Sequence, residues 1–285
     1  MSGMSCTASY LAGWRSLLRN WKVLSLTYGI NLLLAFIAVG PLSNLLTKSI
    51  GRTTLGDKIS STFDYTLITD IIRHEGSAFE ISLAVVGSFM MLYLPWAVFY
   101  QGGYMSIIRN DNTKVKLKEF WRGGAEYFFR YLRLTIYTLG FTLLVLYILS
   151  RLLINKVQPF NLDSEGPLMT QFWGSILVFL IIAFIIGIFK ELAKNLIAAS
   201  DKKMISTANL LAIKGTFRSR AIFLSLINLL VLLVAAALYF LLRKLIGSHL
   251  IPAIIVGQLF LIYRLAYKYI RLASYYYYLK PKPML

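Results

Sequence analysis

Six stretches of the chain run for about twenty residues or more with almost no charge, and that feature limits the fold more than any other. A helix rises about 1.5 Å per residue, so roughly 20 apolar residues cross about 30 Å of hydrocarbon. Residues 23–46, 81–108, 172–189 and 221–242 contain no Asp, Glu, Lys or Arg, and 134–154 contains only Arg151, near its end. The last stretch, 250–270, is uncharged only to Tyr263, so a span there must continue through Arg264 and Lys268. Those two lie four residues apart, on one helical face near a membrane end, where long side chains reach back to the headgroups. The expected fold is therefore all-α: a polytopic transmembrane bundle of about six spans in one integral membrane domain, 1–285. Composition agrees, since 58% of the residues are hydrophobic and soluble domains run nearer half. The run 23–46 is longer than a signal-peptide core and no A-x-A follows it, so it reads as an uncleaved first helix, with a kink expected near Gly40–Pro41.

The charges orient these spans. Twenty-two of the 30 Lys and Arg residues fall in the N-terminal tail, the connections after the second and fourth spans, and the C-terminal part. Net charge is +17 on that side and +1 on the other. By the positive-inside rule the tail, both long basic connections and the C-terminus face the cytoplasm. The first external connection, 47–79, is too short to be a separate domain.

Segments between the spans carry a second pattern. Across 10–22, Trp14, Leu17, Leu18 and Trp21 follow helical spacing while Arg15, Arg19 and Lys22 lie off that stripe. This describes either a helix lying in the membrane interface or an extension of the first span into water. The two basic connections resemble each other. Each has an Asp-containing polar turn, then a short amphipathic helix (about 116–121 and 206–213). Next come a glycine (Gly123-Gly124; Gly215) and an aromatic-plus-arginine cluster (Phe128-Phe129-Arg130; Phe217-Arg218). The offset of about 90 residues suggests a duplicated helix–elbow–helix unit. The elbows can lay their apolar sides on the bilayer while Arg15, Arg19, Lys22, Arg130 and Arg218 meet anionic lipid headgroups, at about 1 kcal/mol per cation.

Trp14 and Trp21, Gly123–Arg130 and Lys214–Arg218, with six spans around them, resemble a loose group of bacterial inner-membrane proteins. The group includes YciC-like proteins and the membrane domain fused to some glycerophosphodiester phosphodiesterases. The resemblance implies a multi-pass protein of the bacterial inner membrane. It does not carry over the phosphodiesterase activity, because the soluble catalytic domain is not in this sequence.

Signatures of chemistry are sparse. The first five spans hold no ionisable residue in their interiors, where one would mark a transport or proton path. Asn31, Asn228 and Gln258 are the polar residues at depth, with Gln101 nearer a membrane end; each suits an interhelical hydrogen bond or the lining of a polar path. Pro95 and Gly102-Gly103 suit the broken helix of a transporter, or ordinary membrane-helix composition. Asp70, His74 and Glu75 give a charge cluster short of the three or four well-placed ligands a metal needs. No G-x-S-x-G, P-loop or dinucleotide fingerprint occurs. Tyr275–Tyr278 reads as an interfacial tyrosine belt rather than a nucleic-acid stacking platform. The expected function is that of a non-enzymatic membrane component with no cofactor and no nucleic-acid partner. It would interact with lipid, with a membrane-protein partner or with a second copy of itself. The alternative is a small-molecule or ion transporter or channel subunit.

Overall fold

A computed structural model describes residues 4–50, 76–110, 117–157, 165–199, 205–247 and 249–280, and the regular structure among them is wholly α-helical. In chain order the helices are α1 (Cys6–Arg19), α2 (Trp21–Ile50), α3 (Gly76–Arg109), α4 (Leu117–Val157), α5 (Glu165–Ala199), α6 (Ile205–Thr216), α7 (Ser219–Ile246) and α8 (Leu250–Leu279). The six apolar runs become α2, α3, α4, α5, α7 and α8, each long and apolar enough to cross a membrane. Even in those stretches only 11% to 22% of the residues are buried by the rest of the chain. Phe36, Met91, Phe240 and Ile251 stand about seven-tenths exposed. Contiguous apolar surface on this scale is stable only where the surrounding solvent is itself apolar. The chain is a multi-pass integral membrane protein.

The helices outrun the apolar stretches that announce them. Alpha4 is one continuous helix of 41 residues, so the separate elbow expected up to Trp121 is the opening of a span, and Gly123-Gly124 does not interrupt it. A glycine pair costs helix propensity, roughly 1 kcal/mol per residue, but here it allows close packing. Alpha3 and α4 cross where Gly102 and Gly103 meet Phe120 and Gly123. A Cβ on Gly102 would lie 3.0 Å from the Gly123 carbonyl oxygen, and one on Gly123 would run into the Ser106 side chain. Such small-residue contacts are how membrane helices approach closely. The second elbow does form a separate helix, α6, and α1 is set off from α2 at Asn20. Alpha2 is continuous past Gly40.

Two compact units share these helices. One holds Met1–Arg19, Gln101–Leu232 and Lys268–Leu285; the other holds Asn20–Tyr100 and Leu233–Tyr267. The first contains a dense core of Tyr104, Phe120, Tyr127, Tyr131, Ile188, Leu192, Leu224, Tyr269 and Tyr275. In the second, Trp96 donates its indole N–H to Asn31 at 2.8 Å, Tyr28 donates to Gln258 at 2.7 Å, and Tyr239 stacks on Phe260 with centroids 4.5 Å apart.

Candidate functional site

The basic ends of the helices in the first unit supply its polar chemistry. Alpha1 packs there through small residues together with Leu17. Ser9, Gly13, Ser16 and Leu17 are buried. A Cβ on Gly13 would sit 3.0 Å from the Ile270 carbonyl oxygen of α8, and the hydroxyls of Ser16 and Tyr269 share a hydrogen bond of 3.0 Å. The expected apolar stripe is thereby split, with Leu17 buried while Leu18 and Trp21 are exposed. Leu11, Arg15, Leu18 and Arg19 form the outward face. Alpha6 and the turn after it repeat the mixture: Leu210, Leu211, Ile213, Lys214, Phe217 and Arg218 are all exposed.

Behind these faces lies a buried ion network that the apolar pattern concealed. Alpha5 runs ten residues beyond Phe189, which carries Lys190, Glu191, Lys194 and Asn195 into the bundle instead of a loop. Glu191 lies 3.1 Å from Lys194 Nζ and 3.7 Å from Arg271 Nε of α8. Arg271 also donates through Nη2 to the Gly187 carbonyl at 2.8 Å. Gly187 has no side chain to obstruct that approach, since its Cβ position is 3.0 Å from the same nitrogen. Asn195 donates to the Glu191 carbonyl at 2.9 Å. Tyr131 of α4 donates to the Lys194 carbonyl at 3.0 Å, and Arg109 of α3 donates to the Ala198 carbonyl at 3.2 Å. Three helices, α3, α4 and α8, are thus tied to the last turns of α5. Each tie satisfies a polar group that would otherwise be stranded out of water.

On the opposite side of α5 an open pocket of about 310 Å³ lies between α4, α5 and α6. Tyr137 and Phe141 line it from α4, Ile185, Ile186 and Phe189 from α5, and Ile213 and Phe217 from α6 and the turn after it. Its two threonines turn their hydroxyls inward: Thr138 donates to the carbonyls of Leu134 and Thr135, and Thr216 to that of Ala212. Only their methyl groups remain for an occupant, so the lining is almost wholly apolar.

Of the cations expected at headgroups, Arg15, Arg19, Lys22 and Arg218 are exposed and Arg130 is half-buried. Of the polar residues at depth, Asn31 and Gln258 are held in the interhelical bonds given above. Asn228 donates to Leu224 of its own helix at 2.8 Å, leaving its Oδ1 buried without a hydrogen-bond partner. Gln101 is half-buried. Tyr275 and Tyr277 are buried rather than presented to an interface, and the hydroxyls of Tyr275 and Ser225 are hydrogen-bonded. Asp70, His74 and Glu75 lie outside the described residues. Among the described residues, no three His, Cys, Asp or Glu side chains gather closely enough to hold a metal ion. The chain matches no family model, no curated protein and no solved structure.

Proposed function

We propose that this chain is a non-enzymatic protein of the bacterial inner membrane, with both termini in the cytoplasm, that holds anionic lipid at its basic side. We place it, on its tryptophan-bearing tail, its six spans and the stretches Gly123–Arg130 and Lys214–Arg218, beside the YciC-like group. One observation carries the lipid reading: the outward faces of α1, of α6 and of the turn after α6 bear large apolar and cationic side chains together, Leu11 with Arg15, Leu18 with Arg19, Ile213 with Lys214 and Phe217 with Arg218. Bare leucines disfavour a face turned to water, and arginines disfavour a face turned to hydrocarbon at about 2.5–3.5 kcal/mol each at depth. The headgroup layer suits both, because it solvates the cation and buries the apolar body. Transport has less support, since Asn31 and Gln258 are engaged in bonds that join helices.

The test is lipid retention. The purified full chain, reconstituted in vesicles mixing phosphatidylcholine with phosphatidylglycerol and then extracted, is expected to carry phosphatidylglycerol enriched over the starting mixture. Arg15→Glu, Arg19→Glu and Lys22→Glu together should remove most of the enrichment, since each cation contributes about 1 kcal/mol at an anionic surface. Retention that mirrors the vesicle composition, before and after the substitutions, overturns the reading.

A further inference from the structure

The pocket between α4, α5 and α6 is built with one apolar end and one basic end. Its α4 lining, Tyr137 to Phe141, is preceded by Arg130 and Arg133; its α5 lining, Ile185 to Phe189, is followed by Lys190. Alpha4 and α5 are consecutive packed spans, so residues before the lining on one and after it on the other lie at the same end. Lys214 from α6 and Arg218 from the turn after it each stand next to a lining residue, and both are exposed. Away from that end, 142–150 and 173–184 are uncharged.

We propose that this pocket holds one acyl chain of a bilayer phospholipid whose anionic headgroup is met by Lys214 and Arg218. The proposal rests on the lipid reading above and narrows it to one place. A polar solute would leave its hydrogen bonds to water unreplaced against this lining, at about 1–3 kcal/mol for each group. An alkyl chain has none to lose. Apolar contact alone does not select a lipid in a bilayer, because lipid tails are as apolar as leucine. Selection comes from the match between an amphiphile with its charge at one end and a pocket with cations at one end. A second copy is a poorer occupant: neighbours in one membrane share an orientation, so the same level of the copy is also basic and the approach is repulsive.

The experiment uses the full chain in phosphatidylcholine vesicles doped with a phospholipid bearing a diazirine on its acyl chain, with a phosphatidylglycerol or a phosphatidylcholine headgroup. Photolysis is followed by peptide mapping. The phosphatidylglycerol probe is expected to label the pocket, at Ile185, Ile186 and Phe189, about tenfold more than the exposed Phe36 and Phe240, a factor equal to about 1.4 kcal/mol of selective occupancy. Ile186→Trp should abolish the excess by filling the space. Ile213→Trp does the same from the exposed side of α6, should the first variant misfold. Lys214→Glu with Arg218→Glu should erase the preference for phosphatidylglycerol while chain labelling continues. Labelling no greater than at Phe36, labelling indifferent to both tryptophans, or a cross-link to a second copy at these positions overturns the proposal. If bulk phosphatidylglycerol enrichment is present and the pocket is not favoured, this proposal falls alone. If enrichment is absent and the pocket keeps its headgroup preference, the pocket stands and the broader reading falls.

Discussion

Glu191 is a carboxylate held between two cations, with Lys194 on its own helix and Arg271 on α8. Its removal leaves Lys194 almost wholly buried without its counter-ion. Breaking a buried pair from one side costs about 3–5 kcal/mol, whereas replacing both partners by apolar residues of similar size is often neutral. Glu191→Ala is therefore expected to lower the unfolding midpoint of the detergent-purified protein strongly. Glu191→Leu with Lys194→Met should recover most of the loss, because Arg271 keeps the Gly187 carbonyl as an acceptor. A midpoint unmoved by the single substitution would show that the network holds nothing together. This residue was hidden in the sequence because the uncharged run stops at Phe189 and charges follow at once. A finer signal was present: Ile188, Leu192, Ala193 and Ile197 continue an apolar helical face past Lys190 and Glu191, and all four are buried. Hydropathy averaged over a span cannot separate a helix that ends from one that continues with charges on another face.

At the scale of elements, existence was easier to read than length or role. Long apolar runs announced six helices because crossing a bilayer leaves the backbone no alternative to internal hydrogen bonding. Glycine was the misleading letter. Gly123-Gly124 reads as the end of an elbow helix and Gly102-Gly103 as ordinary membrane-helix composition or a broken transporter helix, yet the helices are continuous and the glycines sit where α3 and α4 touch. Alpha1 likewise reads as a tryptophan and leucine stripe, at the interface or extending the first span, while the face that docks adds the small residues Ser9, Gly13 and Ser16 to Leu17 alone of its leucines. Small residues carry little weight in a hydrophobic pattern but set how near two backbones come. Gly123→Ala is thus expected to destabilise by about 1–3 kcal/mol through overpacking, and Gly103→Ala similarly, since a methyl there meets the Phe120 ring. Gly140→Ala, whose Cβ would have nothing within 4 Å, should be neutral or slightly stabilising, as alanine is the better helix former. Thermal midpoints of the three variants in one detergent decide the matter. Equal behaviour would mean that the glycines are there for composition and not for contact.

For the whole molecule the governing quantity is the uneven distribution of cations along the spans, because orientation is set by short connections flanking each helix. With α2, α3, α4, α5, α7 and α8 all crossing, an even number of passes returns the C-terminus to the side of the N-terminus. The tail, 109–133, 190–220 and the C-terminal part then share one compartment, and they hold 22 of the 30 basic residues. The lipid reading depends on this arrangement, since anionic phospholipid at the cytoplasmic leaflet is the partner that the basic faces of α1 and α6 would meet. Topology reporters inserted at Gly56 and Ser200 are expected to report opposite compartments, and reporters at the two termini to agree with Ser200. Weak bias at a single span is tolerable, because neighbouring helices constrain it. A wrong parity is not, since one missed crossing would move everything after it. Agreement between the Gly56 and Ser200 reporters would therefore remove one of the spans between them, turn α6 and the mouth of its pocket to the opposite leaflet, and leave Lys214 and Arg218 facing a membrane surface without the charge they are proposed to bind.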